Sequence, residues 1–398
     1  MRISTNQIFQ RGTNGILDQQ AKVSKTQLQL STGKRVVTPS DDPTASVQIL
    51  ELQHSIDIKN TYQTNIGYAQ ASLSSEESVL SSSSDVLQRI RELAIQANSG
   101  ALSNSDLQSI STEVQQNLSE ILGLANSRDG NGDYLFSGNR TTTQPFKQSA
   151  GAYSYAGDQG NRLIQIGEQR QIAINDSGYD VFQKIKNGNG SFVTSYNNAN
   201  TGSGTITVGQ ITNPAAWVPD TYTLTFLTPT TYEVRDSTSA LITSGTFQSD
   251  AAISFNGADI AISGSPAAGD IYTVSPSTNQ DVFSTIQKLV NALGGSASVP
   301  ASQAKLSSDI GQALVSIDNA MNNIDNVRAG IGARLNSIDN QKSANDDFIT
   351  ASKTALSSLQ DLDYTEAASR LSQQMLVWQA AQQSFVKMQN LSLFNFIQ

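Results

Sequence analysis

No cysteine occurs among the 398 residues. Disulfides, thiolate metal sites and cysteine nucleophiles are thereby excluded, and the redox compartment stays open. Histidine occurs once, as His54, out of register with Ile49, Leu52 and Ile56. That placement fits a solvated surface residue, and no Ser-His-Asp or Cys-His set can be assembled around it. Charged residues are scarce at 15%, where soluble proteins carry about 25%. The polar surface must then be Ser, Thr, Asn and Gln, which suits a chain that packs against copies or relatives with little like-charge repulsion. Basic charge is in the minority, and the net charge of -9 argues against nucleic acid or an anionic membrane as a partner. No run reaches the roughly 18 apolar residues of a membrane span, and "MRISTNQIFQRGTNG" lacks the apolar core of an ordinary secretory signal. Taken alone, these absences predict a soluble cytoplasmic protein.

What is abundant is helical periodicity. Phe9, Ile16, Val23, Leu30 and Val37 recur at intervals of seven, which keeps one seam of an α-helix facing a partner. Within "LSTGKRVVTPSDDPTASVQIL", Pro39 interrupts, Ser40, Asp41 and Asp42 offer capping oxygens, and Pro43 suits the first turn of a new helix. Leu52, Ile66, Leu73, Leu80, Leu87 and Ala94 continue the sevenfold spacing, with Lys59 breaking the stripe. Leu107, Ile110, Val114, Leu118, Ile121 and Ala125 mark a further amphipathic helix. The turn-rich "SRDGNGDYLFSG" and the alternating "RLIQIG" and "RQIAIN" predict small hairpins. The composition then shifts to Gly, Thr and Ser with strand-like runs such as "YTLTF", where Tyr222, Leu224 and Phe226 share a face.

Helix returns at "QDVFSTIQKLVNAL", and Ile310, Ile317, Ile324, Ile331 and Ile338 form the sharpest row in the chain. Leu314, Met321 and Leu335 follow four residues behind, then Ile349 and Leu356, with Arg328 and Lys342 as interruptions. Tyr364, Leu371, Trp378 and Phe385, with Ala368 and Met375 beside them, supply a seam for the first one. The fold class predicted is mainly α with an inserted β domain: a long antiparallel, coiled-coil-like helical rod built from both termini, with small hairpins at its far end. The expected domains are a terminal coiled coil (1–40 with 358–398), a helical rod with hairpins (41–188 with 278–357) and the β insert (189–277).

Several motifs reduce to plain structure. Asp129, Asn131 and Asp133 imitate the start of a calcium loop, but Tyr134 and Arg140 stand where glycine and glutamate are needed, so a hairpin turn is expected. "STGKRV" lacks the first glycine and the trailing Ser/Thr of a phosphate loop. Glu76 and Glu77 are adjacent on a helix and read as a solvated face. No cofactor or metal is expected. The isoleucine row reads as intramolecular core, whereas the terminal seams bury one stripe of each helix and invite contacts between subunits. Trp378, Phe385, Phe394 and Phe396 strengthen that reading, because aromatic residues anchor interfaces.

The stretch Leu30–Leu50, "DGNGDYLFSG" at 129–138, "MRIST" at the start and "AQQSFVKMQNLSLFNFIQ" at 381–398 resemble the bacterial flagellar hook-filament junction proteins of the FlgL type, within the flagellin superfamily. The likeness covers about 1–190 and 278–398. It implies an extracellular, non-enzymatic protein of the flagellum, exported unfolded through the flagellar channel and assembled as a ring. Its implied partners are other copies of itself, a neighbouring hook-associated protein, flagellin on the filament side, and an export chaperone, for which the spacing of Trp378, Phe385, Leu393 and Phe396 marks the face it could grip. A flagellin-type filament subunit is the alternative. A hydrolase seated in the β insert is a more distant one, weakened by the absence of histidine and the few carboxylates there.

Overall fold

The computed structural model describes residues 5–99, 102–149, 151–295 and 299–394. Helices α1 (Thr5–Thr32), α2 (Pro43–Ala97) and α3 (Asn104–Ala125) come first. Two hairpins follow, β1 (Phe146–Ser149) with β2 (Ala152–Tyr155) and β3 (Leu163–Gly167) with β4 (Arg170–Ala173). After a π-helical turn at Tyr179–Gln183 comes β5 (Ile185–Lys186). The insert then contributes β6 (Phe192–Tyr196), β7 (Thr205–Ile206), β8 (Gln210–Ile211), β9 (Tyr222–Thr228), β10 (Thr231–Arg235), β11 (Leu241–Thr246), β12 (Ala252–Phe255), β13 (Ala258–Ser263) and β14 (Ile271–Pro276). The chain leaves through β15 (Asn279–Gln280), paired with β5, into α4 (Val282–Gly294), α5 (Pro300–Gln360) and α6 (Tyr364–Phe394). It divides into two compact units, residues 1–64 with 340–398 and residues 65–339. The predicted fold class is the one observed, helical at both ends with a β-rich centre.

In the larger unit α2 supplies Ile66, Ala69, Leu73, Leu80, Leu87, Ile90 and Ala94, and α5 supplies Ile310, Ile317, Ile324, Ile331 and Ile338, all in one buried cluster. Each such Leu or Ile contributes about 1.5–3 kcal/mol through burial. Beside the seam runs a polar row. Gln70 bonds Asp339, Glu77 pairs with Arg328, Arg91 with Asp318, and Asn98 accepts from Ser307. Gln70, Glu77 and Arg91 on α2 and Asn98 just past its end are spaced by multiples of seven, and their α5 partners descend as they ascend, which fixes the antiparallel sense. The buried companions of the isoleucines are Ala313 and Ala320, three residues behind; Leu314, Met321 and Leu335 are only partly buried. The four-residue companions thus pack against the edge of this core, and Ile349, further along their row, is buried. Helices α3 and α4 close this core with Val114, Leu118, Phe283 and Ile286, alongside the ring cluster of Phe136, Phe146 and Phe182.

Glu76 overturns the solvated-face reading. It is 1% exposed, because its place three residues after Leu73 belongs to the buried row that Ala69 and Ile90 also occupy. His54 is exposed, as expected. Asp129 accepts the N–H groups of Asn131 and Asp133 at 2.8 and 3.0 Å, so its carboxylate organises a turn.

The insert has its own core. One sheet runs β11-β10-β9-β14-β6 and the other β12-β13-β7, with β8 also on β13. Between them lie Phe192, Tyr222, Leu224, Phe226, Ile260, Ile262, Tyr272 and Val274. The alternation in "YTLTF" therefore points Tyr222, Leu224 and Phe226 inward, as the period of two requires.

Candidate assembly interface

The smaller unit is built on the antiparallel pairing of α1 with α6. Why α1 stops is local: Gly33 adopts φ 69°, a left-handed conformation glycine enters freely, and its N–H returns to Gln29 O at 2.9 Å. The chain then pairs with the α5–α6 junction through Arg35 N–H to Gln360 O and Leu362 N–H to Gly33 O. This corrects the seam, which ends with the helix: Val37 lies outside α1 and is half-buried, while Val36 packs with Ala45, Ile49, Leu356 and Leu359. Asp41 organises the turn. Its carboxylate accepts the N–H groups of Val37 and Thr38 at 3.1 and 2.9 Å and meets Lys25 Nζ at 2.6 Å. The Lys25 hydrogen bond foremost, then the backbone donors, pull its pKa down to about 2. Asp42 Oδ1 caps α2 by accepting Ala45 N–H at 3.0 Å.

Along the helix pair, Phe9, Ile16, Val23 and Leu30 of α1 face inward, as do Leu371, Trp378 and Phe385 of α6; Val23 is buried and the others are half-buried. Phe9 and Phe385 meet edge to face at 6.0 Å. Trp378 buries its indole N–H with no hydrogen-bond partner among the described residues. Tyr364 departs from the expected seam. It is 57% exposed, with its hydroxyl over Gly33, because α1 has already ended there. The side chains of Leu393 and Phe394, and all of Phe396, lie outside the described residues.

The second row of this seam escaped apolar periodicity because it is polar or small. On α1 it is Gly12, Gln19 and Thr26; on α6 it is Ala367, Gln374 and Ala381, not Ala368 and Met375. Gln19 donates to Gln374 O at 3.0 Å and Thr26 to Gln374 Oε1 at 2.8 Å. A Cβ on Gly12 would come within 2.9 Å of the Phe385 ring. The signal that could have found these residues is the three-residue step from each apolar position.

Away from the seam, large apolar side chains meet solvent. Leu17 and Leu28 occupy the back of α1. On α6, Met375 and Val386 lie on one flank, Val377 and Met388 on the other, and Leu376, 68% exposed, opposite the seam. These side chains are interspersed with exposed Gln373, Gln379, Gln383 and Lys387, so the outer faces of α6 are mixed, with apolar anchors that another surface could cover. What these exposed apolar side chains can do is associate.

Comparison with known proteins bears on that point. Residues 3–141 match the bacterial flagellin N-terminal helical region and residues 314–397 the C-terminal helical region. Flagellar hook-associated protein 3 of Escherichia coli (strain K12) is 37% identical over 185 residues, 46% of this chain and 58% of that protein, so the match spans little more than half its length. The crystal structure of Xanthomonas campestris FlgL superposes with a TM-score of 0.74 at 32% identity, covering 77% of this chain and 99% of that one. The flagellar junction protein FlgL from Legionella pneumophila gives a TM-score of 0.73 at 34% identity, covering 79% and 99%. The chain belongs to the FlgL, or flagellar hook-associated protein 3, family within the flagellin superfamily.

Proposed function

We propose that the protein is a non-enzymatic structural adaptor of the bacterial flagellum, joining hook to filament as a ring of subunits. The observation that carries this reading is α6: one face is covered by α1, while Met375, Leu376, Val377, Val386 and Met388 stay exposed around the rest. Copies of the same chain, a hook-associated protein on one side and flagellin on the other are the surfaces that would cover them. Residues 1–40 with 358–398 form the assembly domain, 41–188 with 278–357 the helical domain, and 189–277 the β domain. A flagellin-type filament subunit is disfavoured, because the solved structures at 32–34% identity, matched over 98–99% of their length, are named FlgL or flagellar hook-associated protein 3.

The chain reaches the flagellum through the dedicated export route, unfolded, and a chaperone holds Trp378, Phe385, Leu393 and Phe396 beforehand. Trp378 and Phe385 face α1 once the chain is folded, so chaperone and α1 compete for one side of α6. Deleting the gene should leave hooks without filaments and release flagellin into the medium. Complementation by Leu376→Asp should fail although the isolated variant melts like the parent. Filaments of normal length on the deletion strain would refute the adaptor reading.

A further inference from the structure

The β3–β4 hairpin and the residues after it are tied to both long helices by polar contacts. From α2, Asn65 donates to Gln165 O at 2.7 Å, Ser72 Oγ to Ile174 O at 2.8 Å, and Glu76 Oε1 accepts Asp176 N–H at 3.0 Å. From α5, Arg170 is held by Ser337 Oγ at 2.7 Å, and Arg334 donates to Ala173 O at 3.3 Å and pairs with the Asp176 carboxylate.

Glu76 is the unusual member of this set. It is sunk among leucines and isoleucines of the α2 seam, and its Oε2 has no hydrogen-bond partner among the described residues. The charged groups that face it are Asp176 in the linker, Arg334 on α5 and Arg162 in the loop before β3. Arg334 is already engaged by Asp176, and the buried Nε of Arg162 bonds nothing among the described residues. Glu77, the next residue on α2, points instead to Arg328 at 2.9 Å. A carboxylate in this place would be a buried charge with one bare oxygen and a like charge alongside.

We propose that Glu76 is a proton-operated latch: neutral, it holds the linker at 174–178 and the β3–β4 hairpin against α2 and α5; ionised, it lets them go. Burial first, then the Asp176 charge, push its carboxyl up to about 8, against the opposing pull of the Asp176 N–H, Arg334 and Arg162. Once the linker opens, water reaches the carboxyl and its affinity for the proton returns to the ordinary value of 4.5. The closed form therefore binds the extra proton, so closure is favoured at low pH. Opening grows by about tenfold per pH unit between those two values and levels off above the upper one.

The test is amide exchange on the full chain from pH 6 to 9, with rates divided by those of an unstructured chain at each pH. In the parent, protection over residues 163–178 should fall by about tenfold from pH 6 to 7 and flatten near pH 9, while amides around Ile324 stay protected. In Glu76→Gln the same segment should be insensitive to pH. A flat profile in the parent, or an equal fall in the variant, overturns the latch. Should Glu76→Gln fail to fold, carbon NMR of the Glu76 carboxyl in the parent decides: a midpoint near 4.5 overturns the proposal, and one above pH 7 that coincides with lost hairpin protection supports it.

Discussion

Replacing Ile324 by alanine probes the seam at its centre. The side chain is 1% exposed, and its neighbours along the row, Ile317 and Ile331, are fully buried. Core substitutions of Ile by Ala cost about 2–5 kcal/mol, the upper values belonging to sites that cannot collapse around the void. Flanked by helices continuous on both sides of the position, this site has little room to relax, so about 4 kcal/mol is expected. Urea denaturation followed by the helical circular dichroism signal measures it. With a slope of about 2–3 kcal/mol per molar urea, the midpoint of the affected transition should drop by roughly 1.3–2 M. Leu314→Ala is the control, since Leu314 is only partly buried at the flank of the seam. A midpoint shift in Ile324→Ala no larger than that of Leu314→Ala would refute the packing described here.

Asp41→Asn should destabilise the smaller unit at neutral pH. Because the carboxyl is held down near 2, its contribution is complete above the unfolded value of 3.8 and disappears as pH falls through about 2. Melting curves of parent and variant should thus draw together from pH 4 to 2 and coincide below that, and a gap that stays undiminished down to pH 2 would contradict the assignment. Gly33→Ala should cost about 1 kcal/mol through the left-handed backbone, and Gly33→Asn less, since asparagine tolerates that region; equal losses would mean that contact with the Tyr364 hydroxyl, not φ, sets the cost. The segment 189–277 expressed alone should give a dispersed proton NMR spectrum, because its sheets enclose a core of their own; a collapsed spectrum would show that it depends on α5.

The legible part of this fold is the part governed by apolar period. Every isoleucine of the α5 row is buried, and the strand alternation at Tyr222, Leu224 and Phe226 places those three in the insert core. The sequence misleads where polar chemistry takes an apolar position. Glu76 and Gln374 occupy seam positions because their partners, Asp176 in one case and Gln19 with Thr26 in the other, arrive from 100 and about 350 residues away. Val37 continued a numerical series past a glycine whose positive φ had already ended the helix. Within the order β11-β10-β9-β14-β6, the places of β14 beside β9 and β6 were not readable, since these pairings join strands far apart in sequence by hydrogen bonds that every backbone offers.

The two helix pairs differ in how much of their seam is apolar, and that difference has a consequence for association. Where α2 meets α5, both rows are mainly aliphatic, so burial stabilises the pair within one chain. Where α1 meets α6, the second row is Gly12, Gln19 and Thr26 against Ala367, Gln374 and Ala381. Its hydrogen bonds fix register and antiparallel sense, as single polar positions do in coiled coils, while adding little apolar burial. The aliphatic residues that α6 does carry are placed elsewhere on its circumference. Covering Leu376, Val377 and Val386, which are 54–68% exposed, would contribute about 1–2 kcal/mol each, comparable to what the half-buried Leu371 and Phe385 provide inside the chain. In the proposed assembly such a helix would gain as much from a second partner as from its first, so that the α1–α6 pair would set the geometry and contacts from outside would supply the remaining stability.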